Sequence, residues 1–330
     1  MWRTIWDLGI VTGVGSMVFI FYKLASNLLN LSVGSQQAVS VQPILPVPGV
    51  GVSFETFPFL LLALSICLVS HELSHGIASL AERVPLKSAG AFFGHVFVGG
   101  FVEPDEDKLN EARNATKLRV FAAGSYTNLV LGVLCVLLLA NFTATITPFY
   151  NIVPSGVQIA SISANLPAHA SGLQAGDTVT AINGTKISDI NDLRQFMASV
   201  MPGQVVNLQT QRGSFLVKTA ADPSNSSHAL IGIGLSENIN YVPKLSFLSS
   251  DLPTTLFRAE YWASVVLTSV ALINMLPMYP FDGDKFLEAA LNLLGVRDIK
   301  QIRTIANGGA YAILLLNVGL SLLRFGFVRF

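Results

Sequence analysis

Long apolar segments alternate with shorter polar ones along most of the chain. An α-helix needs about 20 apolar residues to cross the roughly 30 Å hydrocarbon layer of a bilayer. Five segments approach that length, at residues 8–22, 56–80, 118–140, 261–276 and 304–323. The pattern therefore predicts a polytopic α-helical membrane protein with about five transmembrane helices.

The first apolar segment has two interpretations. Arg3 precedes a short apolar stretch, as in a secretory signal peptide. No clean cleavage site of small residues follows before Asn30, so we favour an uncleaved anchor. On this interpretation residues 1–55 form a transmembrane anchor followed by an outer loop rich in Pro, Gly, Ser and Gln.

The region between the third and fourth segments differs from the rest of the chain. Between residues 150 and 240 the apolar runs shorten to strand length, as in VQIASI, DTVTAI and QVVNLQT, and turns are indicated at Asn183-Gly184 and Pro202-Gly203. One helix is predicted at residues 190–200, behind Asp189 as its N-cap. The pattern predicts a small α+β domain inserted between spans.

Part of this insertion resembles the PDZ domains of bacterial and archaeal proteases. Their recurring pattern is PAxxAGLxxGDxIxxING. The segment LPAHASGLQAGDTVTAING matches it at Ala168, Gly172, Leu173, Gly176, Asp177, Ile182, Asn183 and Gly184. The resemblance implies that a peptide or a chain end binds as an added strand beside an exposed edge of the domain.

Composition argues against an ordinary soluble enzyme and against a nucleic-acid-binding protein. Only 12% of the 330 residues are charged, about half the usual share of a soluble protein. Twenty basic and twenty acidic residues cancel, so no net charge attracts nucleic acid, and we expect no nucleic-acid partner. The mean hydropathy of +0.56 favours a lipid bilayer as the surroundings.

The distribution of Lys and Arg predicts the orientation of the spans. Residues 81–119 contain six and residues 281–303 contain four, whereas residues 29–57 contain none. Basic loops stay on the cytoplasmic side, so both basic segments are expected there and the PDZ-like domain on the outer or lumenal side. Arg324 and Arg329 then lie on the outer side, against the rule.

The second apolar segment contains the motif H-E-x-x-H, formed by His71, Glu72 and His75. Residues four apart share one face of a helix, so both imidazoles can bind one metal ion, and Glu72 lies about 100° around the helix. This pattern suits zinc with a carboxylate as general base. The alternative is two buried histidines that make ordinary polar contacts.

A catalytic zinc ion usually has three protein ligands, so a third is required. Asp282, in NMLPMYPFDGDKF, follows the fourth segment at the same predicted membrane depth, after Pro277 and Pro280, which cannot continue a helix. The alternative for Asp282-Gly283 is a turn or helix start at the membrane surface. Ionisable side chains are costly in hydrocarbon, and shared metal binding compensates for that cost.

Together these motifs resemble the site-2 protease family of intramembrane zinc metalloproteases. H-E-x-x-H lies on one span, Gly124 and Asn128 form a G-x-x-x-N on the next, and Asn274 and Pro277 form an N-x-x-P before Asp-Gly. The metalloprotease core is then divided between residues 56–145 and 255–330. One departure is Phe281, where the family often has Leu.

The resemblance implies a set of roles. One Zn²⁺ per chain is bound by His71, His75 and Asp282, and Glu72 is the catalytic carboxylate. Asn128 and Asn274 hold the substrate backbone or the oxyanion. The segment GAFFGHVFVGGFVEPDEDKL resembles the family's membrane-associated hairpin, with an edge for a substrate strand and with His95 as a lining residue or, alternatively, a metal ligand.

The expected function is an intramembrane zinc metalloendopeptidase that cuts membrane-spanning substrates near the cytoplasmic side of the bilayer. One alternative is a catalytically inactive membrane scaffold, or a PDZ-bearing binding protein, of the same fold. The other is a transporter or channel, which also has polar residues at membrane depth.

Overall fold

The computed structural model describes residues 2–93 and 98–330, so His95 lies outside the described part. The chain forms two compact units. Unit 1 comprises Met1–Phe142 and Thr254–Phe330, and unit 2 comprises Thr143–Pro253.

The first part of unit 1 is mainly helical. It contains the helices α1 (Trp2–Ser32), α2 (Phe57–Ala81), α3 (Glu106–Glu111) and α4 (Asn114–Ala140). Between α2 and α3, the strands β1 (Leu86–Phe93) and β2 (Val98–Pro104) pair antiparallel, as the sequence predicts. β2 packs against α2 and thereby places the hairpin beside the helix that carries H-E-x-x-H.

A short helix, α5 (Phe142–Ile146), precedes the sheet of unit 2. The strands are β3 (Tyr150–Ile162), β4 (Thr178–Ile182), β5 (Thr185–Lys186), β6 (Val205–Thr210), β7 (Gly213–Lys218), β8 (Ala220–Asp222), β9 (Asn225–Leu230) and β10 (Ile233–Pro243). The main sheet has the order β10-β3-β4-β6-β7, with β5 beside β4, and β8 pairs with β9. Its apolar core is centred on Val157, Ile159, Val179, Ile182 and Leu208, all fully buried.

The predicted helix of unit 2 is confirmed as α7 (Ile190–Ala198), although it ends two residues early. The Asp189 side chain caps it by accepting a hydrogen bond from the Asp192 N–H at 2.9 Å. A one-turn helix that the sequence did not predict, α6 (Pro167–Ala170), lies earlier. Its four residues are too few to show a helical period.

Asp177 of the PDZ-like motif has a structural role in unit 2. Its buried carboxylate accepts hydrogen bonds from the Arg212 guanidinium and, at 2.9 Å, from the Gln174 N–H. The Arg212 guanidinium keeps the pKa of Asp177 below its ordinary value, although burial opposes this shift. The ion pair ties the β6–β7 turn to the turn that precedes β4.

Unit 1 is completed by α8 (Leu252–Ile273), α9 (Asp282–Leu293) and α10 (Ile299–Phe325). α2 packs on α4, α4 also packs on α1 and α9, and α1 packs on α10. Glycine permits one close approach, because a Cβ on Gly132 of α4 would lie 2.8 Å from Thr268 of α8.

Among the described residues, five helices are long and apolar enough to cross a membrane: α1, α2, α4, α8 and α10. The first is longer than the predicted segment, because polar residues that end the apolar run are accommodated inside the helix. Asn27, for example, is buried and donates a hydrogen bond to Asn317 of α10 at 2.9 Å. The fourth helix ends at Ile273, where the chain turns towards Asp282.

Candidate metal centre

Three side chains from two distant segments converge in unit 1. The Nε2 atoms of His71 and His75 lie 3.1 Å apart, and each lies 3.1 Å from Oδ2 of Asp282. Both histidines are buried on α2, and Asp282 is the first residue of α9. The structure thus brings together the three residues that the sequence predicts as ligands.

The protonation of these side chains indicates what belongs between them. Nδ1 of His75 lies 2.7 Å from the Val120 carbonyl oxygen, which can only accept, so Nδ1 carries the hydrogen. In a neutral His75, the Nε2 lone pair therefore faces a carboxylate oxygen and a second imidazole. Such a set of electron donors fits a cation. Ligands of a tetrahedral zinc ion are separated by about 3.3 Å, close to the observed spacing.

Burial alone would raise the pKa of the Asp282 carboxyl, because it disfavours the charged form. Without a metal, positive charge on His75 and hydrogen bonds donated by His71 and His75 outweigh burial and lower this pKa below its ordinary value. A metal cation between the three side chains would favour the ionised carboxylate in the same way.

Gly124 determines where the His71 ring can lie. A Cβ on Gly124 would lie 2.5 Å from Cε1 and 2.6 Å from both ring nitrogens of His71. Atoms do not approach so closely, so α4 can pack against the His71 ring only because residue 124 is glycine. This contact explains the glycine of the G-x-x-x-N motif.

A second glycine places Asp282. A Cβ on Gly283 would lie 2.3 Å from the Leu276 carbonyl oxygen and 2.5 Å from that of Met275. The Gly283 N–H also donates to the Asn274 carbonyl at 2.9 Å. The turn after α8 therefore folds back closely enough for the Asn274 amide to reach Oδ2 of Asp282, at 2.6 Å.

A polar stripe on α10 holds this turn, and the sequence analysis did not identify it. Arg303 donates from Nε and Nη2 to Asp284 at 3.0 and 2.6 Å. Asn307 donates to Asp284 at 2.8 Å and accepts from the Tyr279 N–H at 2.7 Å, and the Tyr311 hydroxyl donates to the Tyr279 carbonyl. Their spacing of four residues in an apolar helix was the available signal.

Glu72 and the three candidate ligands line a common cavity of about 350 Å³. Glu72 is partly exposed, and its Oε2 accepts from the Val102 N–H of β2 at 3.4 Å. The hairpin therefore forms one wall of the cavity, and the carboxylate of Glu72 reaches its strand.

The two asparagines lie in different surroundings. Asn274 is partly exposed and lines the cavity. Asn128 is fully buried behind His71, with its side-chain amide 3.2 Å from Nδ1 and 2.9 Å from the Ser70 hydroxyl. Asn128 is not one of the described residues that line the cavity.

With this geometry established, comparison with known proteins identifies the family. The model of peptidase family M50 matches residues 59–317, more than three quarters of the chain. The chain belongs to peptidase family M50. The resemblance to site-2 proteases is confirmed, and this M50 protein is an integral membrane protein.

The matches to relatives cover different shares of each protein's length. An uncharacterised protein of Methanocaldococcus jannaschii is 26% identical over 89% of this chain and 74% of its own. A membrane-bound transcription factor site-2 protease homologue of Arabidopsis thaliana is 26% identical over 51% of this chain. The chain matches only 32% of that plant protein's length.

Part of the chain is also similar to solved PDZ domain structures. The PDZ domain of an SdrC-like protein from Listeria monocytogenes is 28% identical, with a TM-score of 0.23. The match covers 24% of this chain and 87% of that one.

The contact between Gly124 and His71 generates a prediction. We expect Gly124→Ala to displace the His71 ring and to weaken zinc binding by about 10–100-fold, as for other residues that orient metal ligands. Competition with a chelator of known affinity measures this change.

Gly319→Ala is the matched control, because a Cβ on Gly319 of α10 meets no atom within 4 Å. The control should bind zinc as the wild type does and gain slightly in helix stability. Wild-type zinc affinity in Gly124→Ala, at unchanged helical content, would contradict the prediction.

Proposed function

We propose that this M50 protein is an intramembrane zinc metalloendopeptidase that cleaves membrane-spanning substrates near the cytoplasmic side of the bilayer. The convergence of His71, His75 and Asp282 beside a cavity that Glu72 also lines carries the proposal. A scaffold or channel does not require three electron donors that face one another together with a further carboxylate at the same cavity.

The metal ligands lie within the length of a helix that can span the bilayer. His71 is 14 residues after Phe57, or about 21 Å along α2. Basic residues cluster beyond the nearer helix end, at residue 81, and the positive-inside rule assigns that end to the cytoplasm. This distribution supports cleavage close to the cytoplasmic face.

Zinc at such a site supplies Lewis-acid chemistry and activates water at neutral pH. His71, His75 and Asp282 would hold it, and the Val120 carbonyl would fix the orientation of His75. Glu72 would accept the proton of the attacking water and pass it to the leaving amine. Asn274, at the cavity wall, would donate a hydrogen bond to the developing oxyanion.

The substrate must present an extended segment. A transmembrane helix keeps its carbonyl groups in its own hydrogen bonds, so the helix must unwind locally before attack. The β1–β2 hairpin packs beside α2 and offers strand edges to which such a segment can bind. The contact between Val102 and Glu72 would then bring the bound strand close to the catalytic carboxylate.

Replacing the carboxylate tests the reaction directly. We expect Glu72→Gln to retain one zinc ion per chain and to lower cleavage of co-expressed single-span proteins by about 10²–10⁴-fold, because the general base is lost. Metal analysis gives the zinc content, and tags at both substrate ends reveal the fragments.

Glu55→Gln is the matched control, since Glu55 is exposed just before α2 and, among the described residues, forms an ion pair only with Arg258, at 3.5 Å. It should cleave as the wild type does. Full cleavage by Glu72→Gln would overturn the catalytic assignment, and wild-type protein without zinc would overturn the metal assignment.

We assign the two asparagines different roles. A zinc-bound His71 carries its hydrogen on Nδ1, so its neighbour Asn128 must accept a hydrogen bond. Rotation of the Asn128 amide by 180° presents its oxygen to Nδ1 and leaves its nitrogen to donate to Ser70. Asn128 would therefore orient a metal ligand, whereas Asn274 would contact the substrate.

The division of roles predicts different defects. Asn128→Ala should lower zinc affinity by about 10–100-fold. Asn274→Ala should keep zinc and lower kcat by about 10²–10³-fold, the usual cost of losing an oxyanion donor. Chelator competition and turnover at saturating zinc separate them. Wild-type zinc affinity in Asn128→Ala, or a wild-type kcat in Asn274→Ala, would refute the corresponding role.

Unit 2 would select substrates through a peptide or chain end. β10 is a terminal strand of the main sheet, and α7 packs against β10 and β3. Within unit 2, whose residues are all described, no further strand pairs with the outer edge of β10. An extended peptide can add to that edge, as the PDZ-like pattern implies. By the positive-inside rule, this domain would lie on the outer side.

Removing unit 2 tests this selection. Replacement of Thr143–Pro253 by a flexible Gly/Ser linker should leave the zinc content unchanged. The ratio of cleavage rates between pre-trimmed and full-length substrates should move towards one, since the selecting surface is lost. An unchanged ratio, with zinc retained, would exclude a selective role.

A further inference from the structure

A second cavity in unit 1, of about 610 Å³, lies where three span ends meet. It is lined by Arg3 in the first turn of α1, by Glu82 directly after α2, and by Thr116 in the first turn of α4. Among the described residues, its lining and that of the metal cavity have no member in common.

The lining of this cavity is strongly basic. Its one acid among the described residues is Glu82, whose side chain is only 2% exposed. The Glu82 carboxylate accepts from Arg3 at 3.2 Å and from Thr116 at 2.8 Å, and it pairs with a second arginine at 3.1 Å. The cations that surround it are Arg3, Arg83, Lys108, Arg113 and Arg119.

Two of the five cations lack an acidic partner among the described residues. Arg119 also pairs with Asp7 at 2.8 Å, and Lys108 pairs with Glu111 at 3.1 Å. Among the described residues, no acid forms an ion pair with Arg83 or Arg113, which are both exposed. The cavity therefore has an excess of positive charge and guanidinium donors.

The backbone at Arg83 is unusual for an arginine. The Arg83 N–H donates to the Leu80 carbonyl and the Val84 N–H to the Ser79 carbonyl, at 3.1 and 2.8 Å, which closes α2 in a Schellman motif. The motif places Arg83 at φ 65°, a conformation that favours glycine. An arginine is thus held at the cavity despite the strain.

We propose that this cavity binds the phosphate group of an anionic phospholipid. Arginine forks match phosphate oxygens in bidentate geometry, and an uncapped first turn of α4, at Ala115 and Thr116, adds backbone N–H groups to the lining. The source is a lipid rather than free phosphate, because the lining joins the ends of three spans and therefore lies at headgroup level.

Lipid binding to the full chain tests the proposal. Delipidated wild-type protein in detergent is titrated with phosphatidylglycerol or phosphatidylcholine, and native mass spectrometry counts the lipids retained. The double variant Arg83→Gly, Arg113→Gln should bind phosphatidylglycerol roughly 25-fold more weakly, or about fivefold for each arginine, with phosphatidylcholine unaffected. Glycine at position 83 also relieves the backbone strain, so thermal stability should not fall.

Arg297→Gln is the matched control, since it removes an exposed arginine outside the lining and should bind both lipids as the wild type does. Equal affinity of wild type and double variant for phosphatidylglycerol would overturn the proposal. A third titration uses inorganic phosphate. Binding of phosphate by wild type without selective retention of phosphatidylglycerol would identify a free-anion site and overturn the lipid assignment.

Discussion

Unit 1 depends on one constraint: three electron-donor atoms face one another at a largely buried site. Two imidazole nitrogens and a carboxylate oxygen lie 3.1 Å from one another. Both imidazoles belong to α2, a helix long and apolar enough to span a bilayer. Water cannot compensate such groups inside apolar surroundings. The remaining ring nitrogens must therefore be satisfied by protein, and the Val120 carbonyl and Asn128 do so.

Close backbone contact makes this arrangement attainable. Gly124 allows α4 to approach the His71 ring, and Gly283 allows the start of α9 to lie against the Leu276 carbonyl in the turn after α8. In both places a single methyl group would collide with atoms that cannot move far. The positions of the candidate ligands therefore depend on these two glycines, which have no side chain, as well as on the ligands' own contacts.

The sequence predicted much of this molecule because its signals are local. Spans follow from length and hydropathy, and His71 and His75 from a spacing of four residues on a helix. The different surroundings of Asn128 and Asn274 could not be predicted, because they depend on which face of α4 meets His71. The stripe of Arg303, Asn307 and Tyr311 was visible as polar residues in an apolar run, but its partner Tyr279 lies on another segment. The length of α1 was underestimated because pairing between Asn27 and Asn317 depends on the packing of two helices.

The order of the ligands along the chain has a consequence for biosynthesis. His71 and Asp282 are 211 positions apart, and the α10 side chains that hold the Asp282 turn are translated later still. At roughly 5–20 residues per second, the ribosome needs about 10–40 s to pass from the first ligand to the third. A nascent chain therefore inserts its H-E-x-x-H helix well before all three candidate ligands exist, and the candidate metal centre is complete only when the final helices have entered the membrane.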